Sequence, residues 1–222
     1  MRLEPREHVP MWMVLSAPIA AIAVAMVLVS GLVLWTGESV WDAYAALFKG
    51  AFGSRFGFAE TLTRATPVML TGLAAAVAFR ARFWNIGAEG QLYCGALAAT
   101  FFGTGLITLP PVLMIPFLFL MGALAGGAAL ALPVYLKTKL KVDEVVTTLL
   151  LNFIILLFVN YLLEGPLRDP MSMGWPQAAP IIDEGVLPRI LAKSRLHLGL
   201  IVAIVSAVLV WVIMRFTVWG YE

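Results

Sequence analysis

Apolar residues run unbroken between charges along this chain instead of alternating with them. No Asp, Glu, Lys or Arg stands between Glu7 and Glu38, and Met11 to Trp35 fills that interval. A membrane helix needs about 20 apolar residues. The stretch is longer than a signal-peptide core and no small-residue cleavage site follows it, so it reads as an uncleaved helix. A second span is expected over Thr61–Phe79, with Arg64 near one end able to snorkel. The uncharged interval from Gly90 to Leu136 holds two spans, separated by the turn-forming stretch Gly103 to Pro111. Val145–Leu163 and Leu196–Met214 complete a set of about six. Between the first two, Val40, Trp41, Tyr44, Leu47, Phe48, Ala51 and Phe52 share one helical face, which predicts a short helix in the membrane interface. Glu164 to Lys193, punctuated by Pro166, Pro170, Pro176, Pro180 and Pro188, reads as a long connector with little regular structure.

Composition turns this pattern into an exclusion. Of 222 residues, 61% are hydrophobic and 13% charged, and mean hydropathy is +0.93. A soluble domain has about 45–50% apolar and about 25% charged residues. A soluble enzyme, a nucleic-acid module and a disordered protein are excluded, and long unbroken apolar runs do not fit a β-barrel. The fold class is therefore all-α, a polytopic transmembrane helical bundle. The net charge of +2 is uninformative, but its distribution is not. With the N-terminus inside, Arg2, Arg6, Arg80, Arg82, Lys137, Lys139, Lys141 and Arg215 crowd short inner links, whereas the outer basic residues spread over long loops. That bias places both ends inside.

Small residues recur every four positions in four spans: Ala17, Ala21 and Ala25; Gly72 and Ala76; Gly95, Ala99 and Gly103; Gly122 and Gly126. Such spacing lets helix backbones approach closely in lipid. Pro18, Pro67, Pro116 and Pro133 fall in or near spans, where each removes a backbone hydrogen bond. Thr148, Asn152 and Asn160 bring polarity into the fifth span and should face protein or a wet pathway. Cys94, the single cysteine, reads as a packing residue. His8 and His197 have no partner at ligand spacing, so no metal site is expected. No cofactor is expected either.

The densest polar feature is Phe83-Trp84-Asn85-Ile86-Gly87-Ala88-Glu89-Gly90-Gln91, joining the second and third spans. Two glycines permit close backbone packing. On residue chemistry alone it could be an interfacial turn with Glu89 paired to a nearby Arg, or part of a polar pathway.

With Thr61-Leu62-Thr63-Arg64-Ala65-Thr66-Pro67 and Gly72-Leu73-Ala74 before it, the string Asn85-Ile86-Gly87-Ala88-Glu89-Gly90-Gln91 resembles the permease subunits of bacterial ABC importers. The branch is that of simple-sugar and nucleoside permeases, in the wider group that also holds ribose and branched-chain amino acid permeases. Lys141 to Phe153 supplies a second match, with Asp143 where that family typically has Asn. The resemblance covers roughly Trp41 to Glu222. It implies one permease domain over residues 1–222 in the bacterial cytoplasmic membrane, forming part of a pathway for a simple sugar or nucleoside. Its partners would be an ABC ATPase, a second permease subunit and an extracytoplasmic substrate-binding protein, with no nucleic acid. No phosphate-cradling Gly-x-x-x-x-Gly-Lys-Ser/Thr loop occurs here, so ATP hydrolysis is expected on a separate chain. Asn85, Glu89, Gln91 and Asn152 are the candidate pathway residues. Family members carry a coupling segment, expected to begin at Thr217 to Glu222, and then further helices, so the resemblance implies an N-terminal fragment or a truncated product of such a permease. A secondary transporter would more often place charges at mid-membrane, and an intramembrane enzyme would need a catalytic motif absent here. The alternatives are a secondary transporter or a non-transporting structural membrane subunit.

Overall fold

The computed structural model describes residues 10–220; Arg2, Arg6, Glu7, His8 and Glu222, which figured in the reading above, lie outside them. The described residues form seven α-helices and no strand: α1 (Met11–Trp35), α2 (Val40–Phe52), α3 (Arg55–Arg80), α4 (Ala88–Gly103), α5 (Pro111–Leu140), α6 (Glu144–Glu164) and α7 (Gly199–Phe216). Short 3-10 turns occupy Asp183–Gly185 and Val218–Gly220. Five helices, α1, α3, α5, α6 and α7, are long and apolar enough to cross a membrane. The chain is thus a multi-pass helical membrane protein. The other expected span is α4, whose 16 residues rise only about 24 Å, short of a hydrocarbon core of about 30 Å. Its first turns are taken up by the motif, which stays non-helical until Gly87.

The helix boundaries follow from local chemistry. Ser39 caps α2 by accepting the Asp42 N–H at 3.3 Å. Asp143 caps α6 by accepting the N–H groups of Val145 at 2.8 Å and Val146 at 3.1 Å. A helix start only needs a short side-chain acceptor there, so the Asp at this position does the work an Asn would. α5 begins on Pro111, whose missing N–H costs nothing in a first turn. It ends with Lys137 and Lys139 in its last turn and Lys141 in the left-handed region, φ 55°.

The fold divides into two compact units, up to Thr61 and from Leu62 onward. In the first, the α2 interface helix is tied to α1 by Tyr44, whose hydroxyl donates to the Met26 carbonyl and lies 3.0 Å from the Ser30 hydroxyl. Phe52 stacks with Phe48 at 6.4 Å and with Phe58 at 6.3 Å, and Thr61 donates to the Ala51 carbonyl at 3.1 Å.

In the second unit α4 and α5 run antiparallel at close range. A Cβ on Gly95 would stand 3.0 Å from the Gly122 carbonyl oxygen, and one on Gly126 would stand 3.1 Å from that of Gln91. The small-residue spacing of these two helices is thus their contact. Gly72 differs, because a Cβ there would meet nothing within 4 Å. Met114, Thr148 and Pro133 are the largest fully buried side chains, joined in the core by Leu118, Ile155, Val159 and Ala203. Apolar residues elsewhere on the helices face outward, as lipid contact requires.

The connector after α6 is mostly irregular, with isolated bridges pairing Arg168 with Ala178 and Arg189 with His197. It is nevertheless docked. Ile182 donates its N–H to the Gly103 carbonyl at 2.9 Å, and the Ile181 side chain fills the space beside Gly103. His197 accepts the Gly199 N–H on Nδ1 at 3.1 Å, which places it as a boundary residue at the start of α7.

Candidate functional site

The site grows from the break between α3 and α4. Beyond Arg80 the chain turns through Arg82, held at φ 51°, while Phe83 donates its N–H to the Ala78 carbonyl at 2.9 Å. Trp84 folds back on Phe79, ring centroids 5.2 Å apart. Asn85 then organises the turn. Its Oδ1 accepts the Gly87 N–H at 3.0 Å, the local bond that Asn side chains favour over helix. The same oxygen accepts from Gln91 Nε2 at 3.1 Å, and Asn85 Nδ2 donates to Gln91 Oε1 at 3.0 Å. Two side-chain amides thus pair reciprocally across the first turn of α4.

The motif leans on α6. Ile86 donates its N–H to Thr148 Oγ1 at 3.2 Å, and Gly90 donates its N–H to Asn152 Oδ1. Asn152 therefore caps a helix to which it does not belong, satisfying one of the first-turn donors that α4 cannot satisfy itself. The two glycines make this approach possible. A Cβ on Gly87 would stand 2.6 Å from the Thr148 carbonyl oxygen, and one on Gly90 would stand 2.9 Å from Asn152 Oδ1 and 3.2 Å from Asn152 Cα. Thr148 and Asn152 are both buried. Their polar atoms accept hydrogen bonds from the motif and from the first turn of α4. Asn160, two turns on, is exposed, so no described part of the chain covers it as expected.

Three of the four candidate residues, Asn85, Gln91 and Asn152, therefore gather around the start of α4. Glu89 does not join them. It is exposed on the first turn of α4 and pairs with no described basic residue. Its carboxylate there complements the positive end of the helix dipole.

Sequence reasoning missed Lys137 and Glu144 as site residues. Lys137 donates to the Arg82 carbonyl at 2.9 Å and to Glu144 Oε1, and its ammonium lies 5.1 Å from the centre of the Phe83 ring. Glu144 Oε1 also accepts the Trp84 N–H at 3.4 Å. The only signal was the crowding of opposite charges on either side of the α5–α6 turn.

Two cavities meet at Gln91. One of about 680 Å³ is lined by Leu73, Val77, Phe83, Asn85, Lys137 and Thr138 among others. The other, about 550 Å³, is lined by Gly95, Ala99, Leu118, Ile181, Val202 and Ser206 among others. Leu70 and Gln91 line both. Gln91 is therefore the polar group at the junction of two mainly apolar spaces along α3, α4, α5 and α7.

Comparison with known proteins shows what the chain is similar to. A glucose ABC transporter permease of Haloferax volcanii is 34% identical over 100% of this chain and 60% of its own length. A guanosine ABC transporter permease of Bacillus subtilis is 36% identical, covering 94% of this chain and 60% of itself. A nucleoside ABC transporter permease of Lactococcus lactis is 29% identical, covering 92% and 58%. The chain thus spans about 60% of the length of these curated relatives. No solved structure matches it. Residues 57–222 match the family described as branched-chain amino acid transport system / permease component. That match takes in the α3–α4 motif, both cavities and the α5–α6 turn, and the chain belongs to this family of transporter permeases.

Proposed function

We propose that the chain forms part of the translocation pathway of an ATP-driven ABC importer that takes up a simple sugar or a nucleoside. The observation that carries this reading is the placement of Gln91, paired with Asn85, at the junction of the two cavities. The names of the three relatives support the solute class. Sugars and nucleosides are both polyhydroxylated. A paired Asn–Gln amide offers two donors and two acceptors, and a solute hydroxyl can replace either amide bond at little net cost. Asn85 and Gln91 are the solute-facing pair, Asn152 fixes the backbone that presents them, and Glu89 stands at the exposed edge of the same turn.

The chain sits in the cytoplasmic membrane with the Lys137 end of the bundle inside. A separate ABC ATPase drives the cycle, a second permease subunit completes the pathway, and an extracytoplasmic binding protein delivers solute. This subunit performs no covalent chemistry. Its task is to present a polar junction to each side in turn.

Alanine substitution at Asn85, Glu89, Gln91 and Asn152 in the intact transporter tests the assignment. Uptake should fall by roughly tenfold at Asn85 and Gln91, the loss expected when a hydrogen-bonding partner leaves its mate unpaired. Membrane insertion and ATPase association should persist. Normal uptake by all four variants would remove the site.

A further inference from the structure

The inner end of the 680 Å³ cavity is lined by Phe83, Lys137 and Thr138, and the segment covering it is held in two different ways. From Ile86 onward the motif is fixed to α6 by uncharged, buried groups, Thr148 and Asn152. From Arg82 to Trp84 it is held to α5 and α6 by charged groups, Lys137 on the Arg82 carbonyl, Glu144 on the Trp84 N–H and the ion pair between them, while Phe83 and Trp84 keep local contacts to Ala78 and Phe79 of α3. The pair is shielded, the Glu144 side chain being 13% exposed and that of Lys137 32%. Both sides of this contact turn through strained backbone. Of the four described non-glycine residues with positive φ, Arg82 and Lys141 are two. Left-handed conformations of long side chains persist only where surrounding contacts enforce them, and they cluster at switch regions.

We infer that Lys137 and Glu144 form a latch that closes the inner mouth of this cavity by pinning the Arg82–Trp84 segment to the α5–α6 turn, and that transport requires it to open. The inference rests on the pathway reading above. Lys137 is the natural release point. Its ammonium joins three elements at once, so its withdrawal frees the carbonyl, the carboxylate and the Phe83 ring together. An ionic contact at a membrane edge can be exchanged for water, whereas the buried contacts of Thr148 and Asn152 cannot be exchanged cheaply. The Arg82–Trp84 segment would therefore swing while Gly87 and Gly90 stay seated on α6.

Two measurements on the intact transporter in liposomes, in a Cys94→Ser background, test the latch. The first places a single cysteine at Ala78, a residue lining the same cavity, and measures its labelling by a membrane-impermeant maleimide from the inner side. Glu144→Gln keeps the shape and the Trp84 acceptor but removes the ion pair. It should raise the labelling rate roughly tenfold, as loss of a charge-assisted hydrogen bond does. The second joins Trp84→Cys to Glu144→Cys by oxidation, which should stop uptake until reductant restores it. Unchanged labelling in Glu144→Gln, or uptake that continues with the cross-link formed, would overturn the latch. Uptake by the parent transporter separates the two readings: normal import with unchanged labelling removes the latch and leaves the pathway standing.

Discussion

At the scale of single residues, what decides the site is which small groups may stand where two helices nearly touch. Gly90 has no room for a side chain, because a Cβ would stand 2.9 Å from Asn152 Oδ1. Gly90→Ala should destabilise the protein by about 1–3 kcal/mol, the range for overpacking a close contact. Thermal unfolding of the purified protein in detergent would show it as a lowered Tm. Asn152→Ala strands the Gly90 N–H in a buried position and should cost about 1–3 kcal/mol for the unmet donor. Asn152 was legible in the sequence because an amide amid apolar residues must find a partner. The sequence could not reveal that the partner is a backbone N–H on another helix. Glu89 was legible only as a charge in a dense motif. Its exposure depends on how α4 is rotated, which no local pattern encodes. Lys137 and Glu144 were hidden for a related reason: their pairing depends on the left-handed turn at Lys141, which a lysine adopts only under tertiary constraint.

At the scale of elements, the absence of charge fixes the long helices and says little about their neighbours. The intervals free of Asp, Glu, Lys and Arg located α1, α5, α6 and α7 closely and α3 with a later start, since its first turns at Arg55 are too polar to look like a span. α4 fell short of a full span because Asn85 forms a local turn in competition with helix. The four-residue spacing of small residues was also only half informative. It marks the α4–α5 seam but not Gly72, whose neighbourhood is open. The two glycines give a matched test. Gly95→Val should separate α4 from α5 and lower the Tm clearly, because the added side chain would run into the Gly122 backbone. Gly72→Ala should be neutral or stabilise by up to about 1 kcal/mol, the helix-propensity difference. Equal effects of the two substitutions would mean the seam is not where the glycines place it. Composition gave the connector after α6 only as a stretch with little regular structure. Its attachment through Ile181 and Ile182 at Gly103 joins it to the 550 Å³ cavity, a long-range contact that proline-rich composition could not foretell.

At the scale of the whole molecule, family membership and helical architecture were readable from sequence because both rest on abundant signals, apolar length and a specific polar string. The cavities were not, because each helix contributes only a few side chains to them. The chain covers about 60% of its relatives' length, and the route proposed for it runs along α3, α4, α5 and α7 past Gln91. The most direct test is solute protection of cysteines lining it, in the intact transporter during turnover. Ala74→Cys reports on the 680 Å³ cavity, Ala99→Cys on the 550 Å³ cavity, and Leu157→Cys on the outward face of α6. Transported sugar or nucleoside should slow modification of the first two and leave the third unchanged. Equal modification rates with and without solute at both cavity positions, while uptake proceeds, would contradict a pathway through Gln91.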